Sequence, residues 1–315
     1  MYNKLFFFKF LYIKKLYKEN SIFIYKMTEC NLCEQKNCFC QDYWHTFEDD
    51  LLSISFPENE IVQATKLKPS TITVCFDINT KINIKNVVKT FEKTYKNHDV
   101  FQSIKYKSGT KKSKDKELND AFYNQCSMVL CIEDDESKIE KQTSKINVFV
   151  FPNGSFRTVG CRTIKTCTIM INELFCFFKY NKDMVENPSQ FSLKNIRISM
   201  INSDFKLSRK IKQKKLFNLL KEYTIENGGN IRNNTFNPDK YPGINVKFIK
   251  DTTKVNSSIK FTRKGRKKID GEVSILIFRS GSIIITGYKK PMEAKDAFDY
   301  ICKLIIDNKE VVLSI

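Results

Sequence analysis

Val148-Phe149-Val150-Phe151-Pro152-Asn153-Gly154-Ser155 and Ile275-Leu276-Ile277-Phe278-Arg279-Ser280-Gly281-Ser282 read as two versions of one stretch. Phe151 falls on Phe278, Gly154 on Gly281 and Gly160 on Gly287, all at an offset of 127. The register continues without a gap through Arg162/Lys289, Cys167/Ala294, Ile171/Phe298, Leu174/Ile301 and Phe178/Ile305. A single shared glycine is noise, but an apolar run, a turn, a second run and a helix at one offset is an internal duplication. The runs 146–151 and 273–278 are rich in β-formers and end at a turn whose glycine adopts positive φ cheaply. Return strands follow at Phe156–Val159 and Ile283–Thr286. Then come helices whose apolar residues (Ile164, Cys167, Ile171, Leu174, Phe175, Phe178; Ala294, Ala297, Phe298, Ile301, Leu304, Ile305) share one face and form core stripes.

Working outward, Ile72-Thr73-Val74-Cys75-Phe76 resembles Ile196-Arg197-Ile198-Ser199-Met200 at an offset of 124. Helical patterns follow each, through Ile84, Val87, Val88, Phe91 and Tyr95 and through Leu216, Phe217, Leu219, Leu220 and Tyr223. Each half is therefore strand, helix, several antiparallel strands, helix. Two such halves predict an α+β molecule of tandem repeats, with helices on one face of a curved antiparallel sheet. The expected organisation is an N-terminal extension over 1–60, a first repeat over 61–180 and a second over 181–315, the last with a basic insertion at about 250–270.

The second half contains Tyr241-Pro242-Gly243-Ile244-Asn245-Val246-Lys247, then the run Ile275 to Lys289, then a helix with the pair Ala297-Phe298. These segments resemble the second repeat of the TATA-binding protein family. There a Phe-Pro-Gly strand precedes a Leu-Ile-Phe-x-Ser-Gly-Lys-x-x-x-Thr-Gly-Ala-Lys hairpin and a closing helix. Thr71 to Ile84 and Ile146 to Arg162 resemble the first repeat more weakly, and the resemblance spans roughly residues 68–312. It implies a saddle whose concave sheet lies on the DNA minor groove, with phenylalanines wedged between base steps. Minor-groove architectural proteins work this way, TATA-binding protein being itself a standard example.

The resemblance also assigns positions. Phe151 and Phe278 fall on the second wedge phenylalanine of each repeat, and Tyr241 on the first wedge of the second repeat. The first wedge of the first repeat has no placed residue; Phe122 lies nearby. Asn195 matches one central base-contacting asparagine, and Thr71 stands at the partner position. Thr286 matches a groove-facing threonine with Val159 as its counterpart. Lys247, Lys289 and Arg162 match phosphate-contacting positions, while Ser155 and Ser282 replace the lysine after the hairpin glycine. For Phe151 and Phe278 the alternative is strand packing, and for Asn195 a turn or strand end. Thr71, Val159 and Tyr241 depart from what strict TATA recognition requires. The expected function is a transcription initiation factor that binds and bends A·T-rich promoter DNA. Its expected partners are double-stranded DNA, other initiation factors and RNA polymerase. The alternative is a scaffold of the same fold that recruits transcription machinery without sequence-specific binding.

Charge is consistent with a polyanionic partner. The 315 residues include 54 Lys+Arg and 35 Asp+Glu, a formal net charge of +19, which attracts nucleic acid or a membrane surface. The Lys/Asn/Ile bias also fits an AT-rich genome, of a protist or a large DNA virus, that supplies lysines without a ligand behind them. No run reaches the roughly 18–20 apolar residues of a spanning helix, and Leu5–Ile13 is broken by Lys9 and lacks a signal-peptide cleavage site. Met27 offers a second start. The expected location is the nucleus or a cytoplasmic viral transcription site, with neither membrane nor small-molecule substrate as partner.

Lys254, Lys260, Arg263, Lys264, Arg266, Lys267 and Lys268 crowd the insertion, as an arm along phosphates, an import signal or a solvated loop. Lys105 to Lys116 forms a second basic stretch, expected at a comparable place in the first half. Cys30, Cys33, Cys38 and Cys40, with His45 nearby, make C-x2-C-x4-C-x-C, a candidate zinc cluster or a set of unligated thiols. Cys75, Cys126, Cys131, Cys161, Cys167, Cys176 and Cys302 sit among apolar residues and read as reduced core hydrophobes. Asp42 to Glu60 is acidic and aromatic, and could fold over the concave surface. With two histidines in unrelated contexts and no phosphate loop, zincin motif or nucleophile elbow, the chain does not read as an enzyme.

Overall fold

A computed structural model describes residues 50, 53–56, 62–95, 98–106, 125–133, 143–253, 259–261 and 267–314. The first half comprises β1 (Lys68–Ile78), α1 (Ile84–Thr90, extended by a π-helical turn Phe91–Tyr95), β2 (Phe101–Tyr106), β3 (Cys126–Glu133), β4 (Thr143–Val150), β5 (Ser155–Cys161) and α2 (Ile164–Tyr180). The second comprises β6 (Leu193–Lys206), α3 (Gln213–Leu220), β7 (Ile231–Asn237), β8 (Tyr241–Phe248), a small hairpin of β9 (Ile259–Phe261) and β10 (Lys267–Ile269), β11 (Val273–Ile277), β12 (Ser282–Tyr288), α4 (Pro291–Asp307) and α5 (Lys309–Val312).

Ten strands form one antiparallel sheet in the order β2-β3-β4-β5-β1-β6-β12-β11-β8-β7. Read outward from the centre, the two halves have the same order. Period-two alternation sends Ile72, Val74 and Phe76, and likewise Ile283, Ile285 and Ile275, to the buried side under the helices. Phe156 meets Phe178 of α2 at 5.3 Å, and Phe205 meets Phe298 of α4 at 4.7 Å. The opposite face carries no helix among the described residues and is called the open face below.

The hairpin duplication holds at 127 throughout: α2 and α4 are both 17 residues long and start at 164 and 291. At the front of each half the offset is 129, not the expected 124. Ile78 N donates to Gly154 O (2.8 Å) as Leu207 N does to Gly281 O (3.0 Å), and Ile82 N to Pro152 O as Ile211 N does to Arg279 O. Ile72 pairs with Ile201, its own repeat-mate, so the pseudo-twofold axis passes between these two residues. The misregister has a physical cause. β6 bulges between Ile198 and Met200 (Thr73 pairs with Met200, Val74 with Ile198), and an extra residue inverts the alternation. Ile196 and Ile198 therefore show the apolar phase that an odd slip of five residues requires.

Three other expectations change. The basic stretches are not at equivalent places: the one after Tyr106 joins β2 to β3, whose counterpart is the β7–β8 turn, whereas the insertion joins β8 to β11. Ile54 and Phe56, from the acidic aromatic segment, lie on the helix side, Ile54 buried and Phe56 edge-on to Phe298 at 6.5 Å. Apolar burial beneath α4 thus draws these residues away from the open face. Of the seven apolar-context cysteines, Cys126, Cys161, Cys167 and Cys302 are buried, and burial raises the Cys126 thiol to about 12. Cys75, Cys131 and Cys176 are only half-buried. The N-terminal cysteine cluster, Asp42 to Asp49, residues 107–124, 254–258 and 262–266 lie outside the described residues.

Gly154 and Gly281 take φ of +88° and +87°, and a Cβ on either would stand 2.4 or 2.5 Å from a backbone oxygen, Thr80 O or Arg209 O. Gly281→Ala is expected to lower unfolding free energy by about 2–4 kcal/mol, from positive-φ strain plus a backbone clash, in urea denaturation. A second prediction concerns His98, whose Nδ1 accepts from Val100 N (3.1 Å) and Phe101 N (3.4 Å), a role open only to the unprotonated nitrogen. Burial lowers its pKa, against the raising effect of Asp99. The unfolded chain, with a histidine near the ordinary value of about 6.5, then binds the proton first. Stability should fall as pH drops below about 6.5, and His98→Gln should flatten that dependence in denaturation series across pH.

Candidate nucleic-acid interface

Both hairpin phenylalanines are set by the same turn. Gly154 N donates to Phe151 O (3.0 Å) and Phe151 N to Ser155 O (3.0 Å); Gly281 N donates to Phe278 O (3.1 Å) and Phe278 N to Ser282 O (2.9 Å). Alternation places both rings on the open side, half-buried. Tyr241, 43% exposed, lies against Phe278 with ring centroids 5.9 Å apart and planes at 63°. Gly243 makes room for this pair, since a Cβ there would meet Tyr241 Cε1 at 2.9 Å and Phe278 Cε1 at 3.0 Å. Gln213, the first residue of α3, ties the two strand ends together: its Nε2 donates to Pro242 O (2.8 Å) and Ile277 O (3.0 Å). Sequence reading missed Gln213, since only the fold brings it to those carbonyls.

The ladder also aligns the outer strands. Cys126 pairs with Val150 as Ile244 pairs with Ile277, an offset of 118 for β3 and β8. Counted back in sequence, Tyr241 then corresponds to Tyr123, not to Phe122; Tyr123 lies outside the described residues.

At the centre, the structure separates residues that sequence reading paired. Thr71 has Met200, not Asn195, as its repeat-mate at offset 129. Asn195 sits toward the start of β6 in the left-handed conformation, φ 53°, and its Nδ2 donates to Asp77 Oδ2 at 3.0 Å. Such a φ suits Asn at a strand irregularity, and the register does shift here, Cys75 pairing with Arg197 and Asp77 with Lys194. Beside the axis stands Asn202, which sequence reading missed. Its Oδ1 accepts from Thr286 Oγ1, its backbone oxygen from Ser70 Oγ (3.2 Å), and it pairs with Thr71. Val159, repeat-mate of Thr286, pairs with Thr73, whose hydroxyl is buried without a hydrogen-bond partner.

The basic positions differ in their surroundings. Arg162 and Lys289 are exposed just beyond β5 and β12. Lys247 Nζ bonds Ser274 Oγ (2.5 Å) and lies 3.8 Å from Glu272, whose nearly buried carboxylate also holds Arg232 at 2.6 Å. Glu272 precedes β11, so this clamp also fixes the base of the basic insertion, as does Lys250 to Asp296 at 3.3 Å. Arg157 is a further exposed cation whose place in the ladder, between Cys75 and Phe149, puts it on the open face. Asp204 is exposed on the same face, and Asp77 half-buried. Among the described residues no group of three or more His, Cys, Asp or Glu could hold a metal ion, and no helix is long and apolar enough to cross a membrane.

A ten-stranded antiparallel sheet of two like halves, with helices on one face and a phenylalanine at each hairpin turn of the other, defines a saddle-like α+β fold. Residues 219–307 match the family model described as "Transcription factor TFIID (or TATA-binding protein, TBP)". A "TATA-box-binding protein-like" protein of Acanthamoeba polyphaga mimivirus is 29% identical over 204 residues, 62% of this chain and 50% of that protein. The match thus spans about half the length of that relative. The solved structure of Methanococcus jannaschii TBP overlays 78% of this chain and 99% of its own, with a TM-score of 0.44 and 16% identity. The second half of the chain is thus similar in sequence to the TATA-binding protein family.

Gly243→Ala should displace the Tyr241 and Phe278 rings while changing stability by less than about 1 kcal/mol, because only the far ends of flexible side chains must move. Aromatic cross-peaks between the two rings, compared before and after substitution alongside a thermal melt, measure both effects.

Proposed function

We propose that the chain binds A·T-rich promoter DNA in the minor groove with its open sheet face, bends it, and acts in transcription initiation. The observation that carries this reading is the duplicated turn that holds Phe151 and Phe278 at like positions on the open face, with Tyr241 against Phe278. An aromatic ring held at the end of a sheet is suited to entering a base step, and the rows of Thr, Val, Leu and Ile between the two turns suit the smooth floor of an A·T groove. Arg162, Lys289 and Arg157 serve the phosphates, which makes the affinity salt-dependent. Partners of the transcription machinery would dock on the helix side, at a nuclear or viral transcription site.

A scaffold without sequence-specific DNA binding is the second reading. Asp77 and Asp204 on the open face and the engagement of Lys247 by Glu272 favour it, since each reduces positive potential where phosphates would lie. A short A·T-rich duplex carrying dyes at its two ends separates the readings. DNA binding predicts affinity that falls steeply with salt and end-to-end shortening in the wild-type complex. Phe278→Ala should abolish most of the shortening while the fold and low-salt binding persist. No binding at low salt would leave the scaffold.

A further inference from the structure

The two halves meet at an axis between Ile72 and Ile201, so each open-face residue near it can be compared with its own repeat-mate. On one side Asn202, Thr286 and Thr71 stand together, with Thr286 Oγ1 donating to Asn202 Oδ1. The mates of these three residues are Thr73, Val159 and Met200. They also stand together, Thr73 pairing with Val159 on one flank and Met200 on the other. That side offers a methyl and a thioether surface, with a threonine hydroxyl already withdrawn from any partner.

We propose that this asymmetry makes the chain read DNA with a direction, Asn202 and Thr286 tolerating a G·C pair that Met200 and Val159 reject. The inference rests on the proposed minor-groove binding. In that groove A·T pairs of either orientation present only acceptors, and a G·C pair adds the guanine N2 amino donor. With the Thr286 proton given to Asn202 Oδ1, the Asn202 amide remains a donor to groove acceptors, and the Thr286 oxygen remains an acceptor for an amino group. The polar side therefore answers both kinds of base pair. Against Met200 and Val159 a guanine amino group loses its water and finds no acceptor, which a buried donor does not tolerate. The complex should therefore place a lone G·C pair on the Asn202 side.

Binding to palindromic duplexes tests this without any label on the protein. The parent is an A·T-only palindrome. One derivative carries a single G·C pair beside the dyad, and a second carries one on each side. Because the protein can turn round, the single substitution should weaken binding by no more than about threefold, and the double substitution by a further factor of about ten. Asn202→Leu or Thr286→Val, each measured against its own parent affinity and checked for folding by thermal melt, should make the single substitution cost about tenfold already. Equal stepwise losses for the first and second G·C pair in the wild type, or no loss at all, would overturn the inference while leaving DNA binding in place. Absence of binding to all three duplexes at low salt would remove the proposed function and this inference with it.

Discussion

Two peptide hydrogen bonds hold the architecture: Ile78 N to Gly154 O, and Leu207 N to Gly281 O. Each joins the end of a central strand to the tip of its hairpin, and each requires a residue with no side chain, because a Cβ would overlap backbone oxygens. Once the turn is seated, the hairpin's return strand lies along the central strand and its outgoing strand ends at a phenylalanine. The position of the open-face aromatics is thus a consequence of backbone packing between the turn and β1 or β6. The helices that close the layer follow each return strand, so their placement inherits the same constraint.

The parts of this arrangement that were legible in the sequence are those where spacing is rigid. From strand to turn to strand to helix no residue is inserted in either half, so one offset carries from Val148/Ile275 to Phe178/Ile305 and the elements follow. The front of each half was harder because β6 carries two irregularities, one before Met200 and one at Asn195. Alternation remains visible on both sides of a bulge but in opposite phase, which makes a shifted alignment look as apolar as the true one. Such a shift sets Thr71 against Asn195 in the sequence, whereas the ladder makes Met200 its mate. Asn202 and Gln213 could not be found by spacing at all: the first needed the register of β1 on β6, the second needed α3 brought against the ends of β8 and β11.

The halves have also diverged in how they hold their aromatics. In the second, Gly243 beneath the rings and Gln213 bridging two carbonyls make a supported pair. In the first, the residues at the corresponding offsets are Gln125 and Ile84, which provide neither the space nor the bridge. The matched family segment, residues 219–307, lies within the second half and takes in Gly243 but not Gln213. Electrostatics follow the same division, since the Glu272 clamp on Lys247 and Arg232 has Lys145, Val129 and Gln102 as its counterparts.

The pairing of β1 with β6 has the geometry of an isologous contact, in which one surface meets a copy of itself. Were the two halves separate identical chains, every substitution would appear on both sides of the axis at once. A change that suited one side would be imposed on the other, and a residue such as Asn202 could never face a different neighbour from its mate. Joining the copies through residues 181–192 removes that restriction, so each half is free to change alone while the shared ladder keeps them in register. The covalent link therefore does more than raise local concentration: it gives heredity separate access to the left and right of what would otherwise be one symmetric surface.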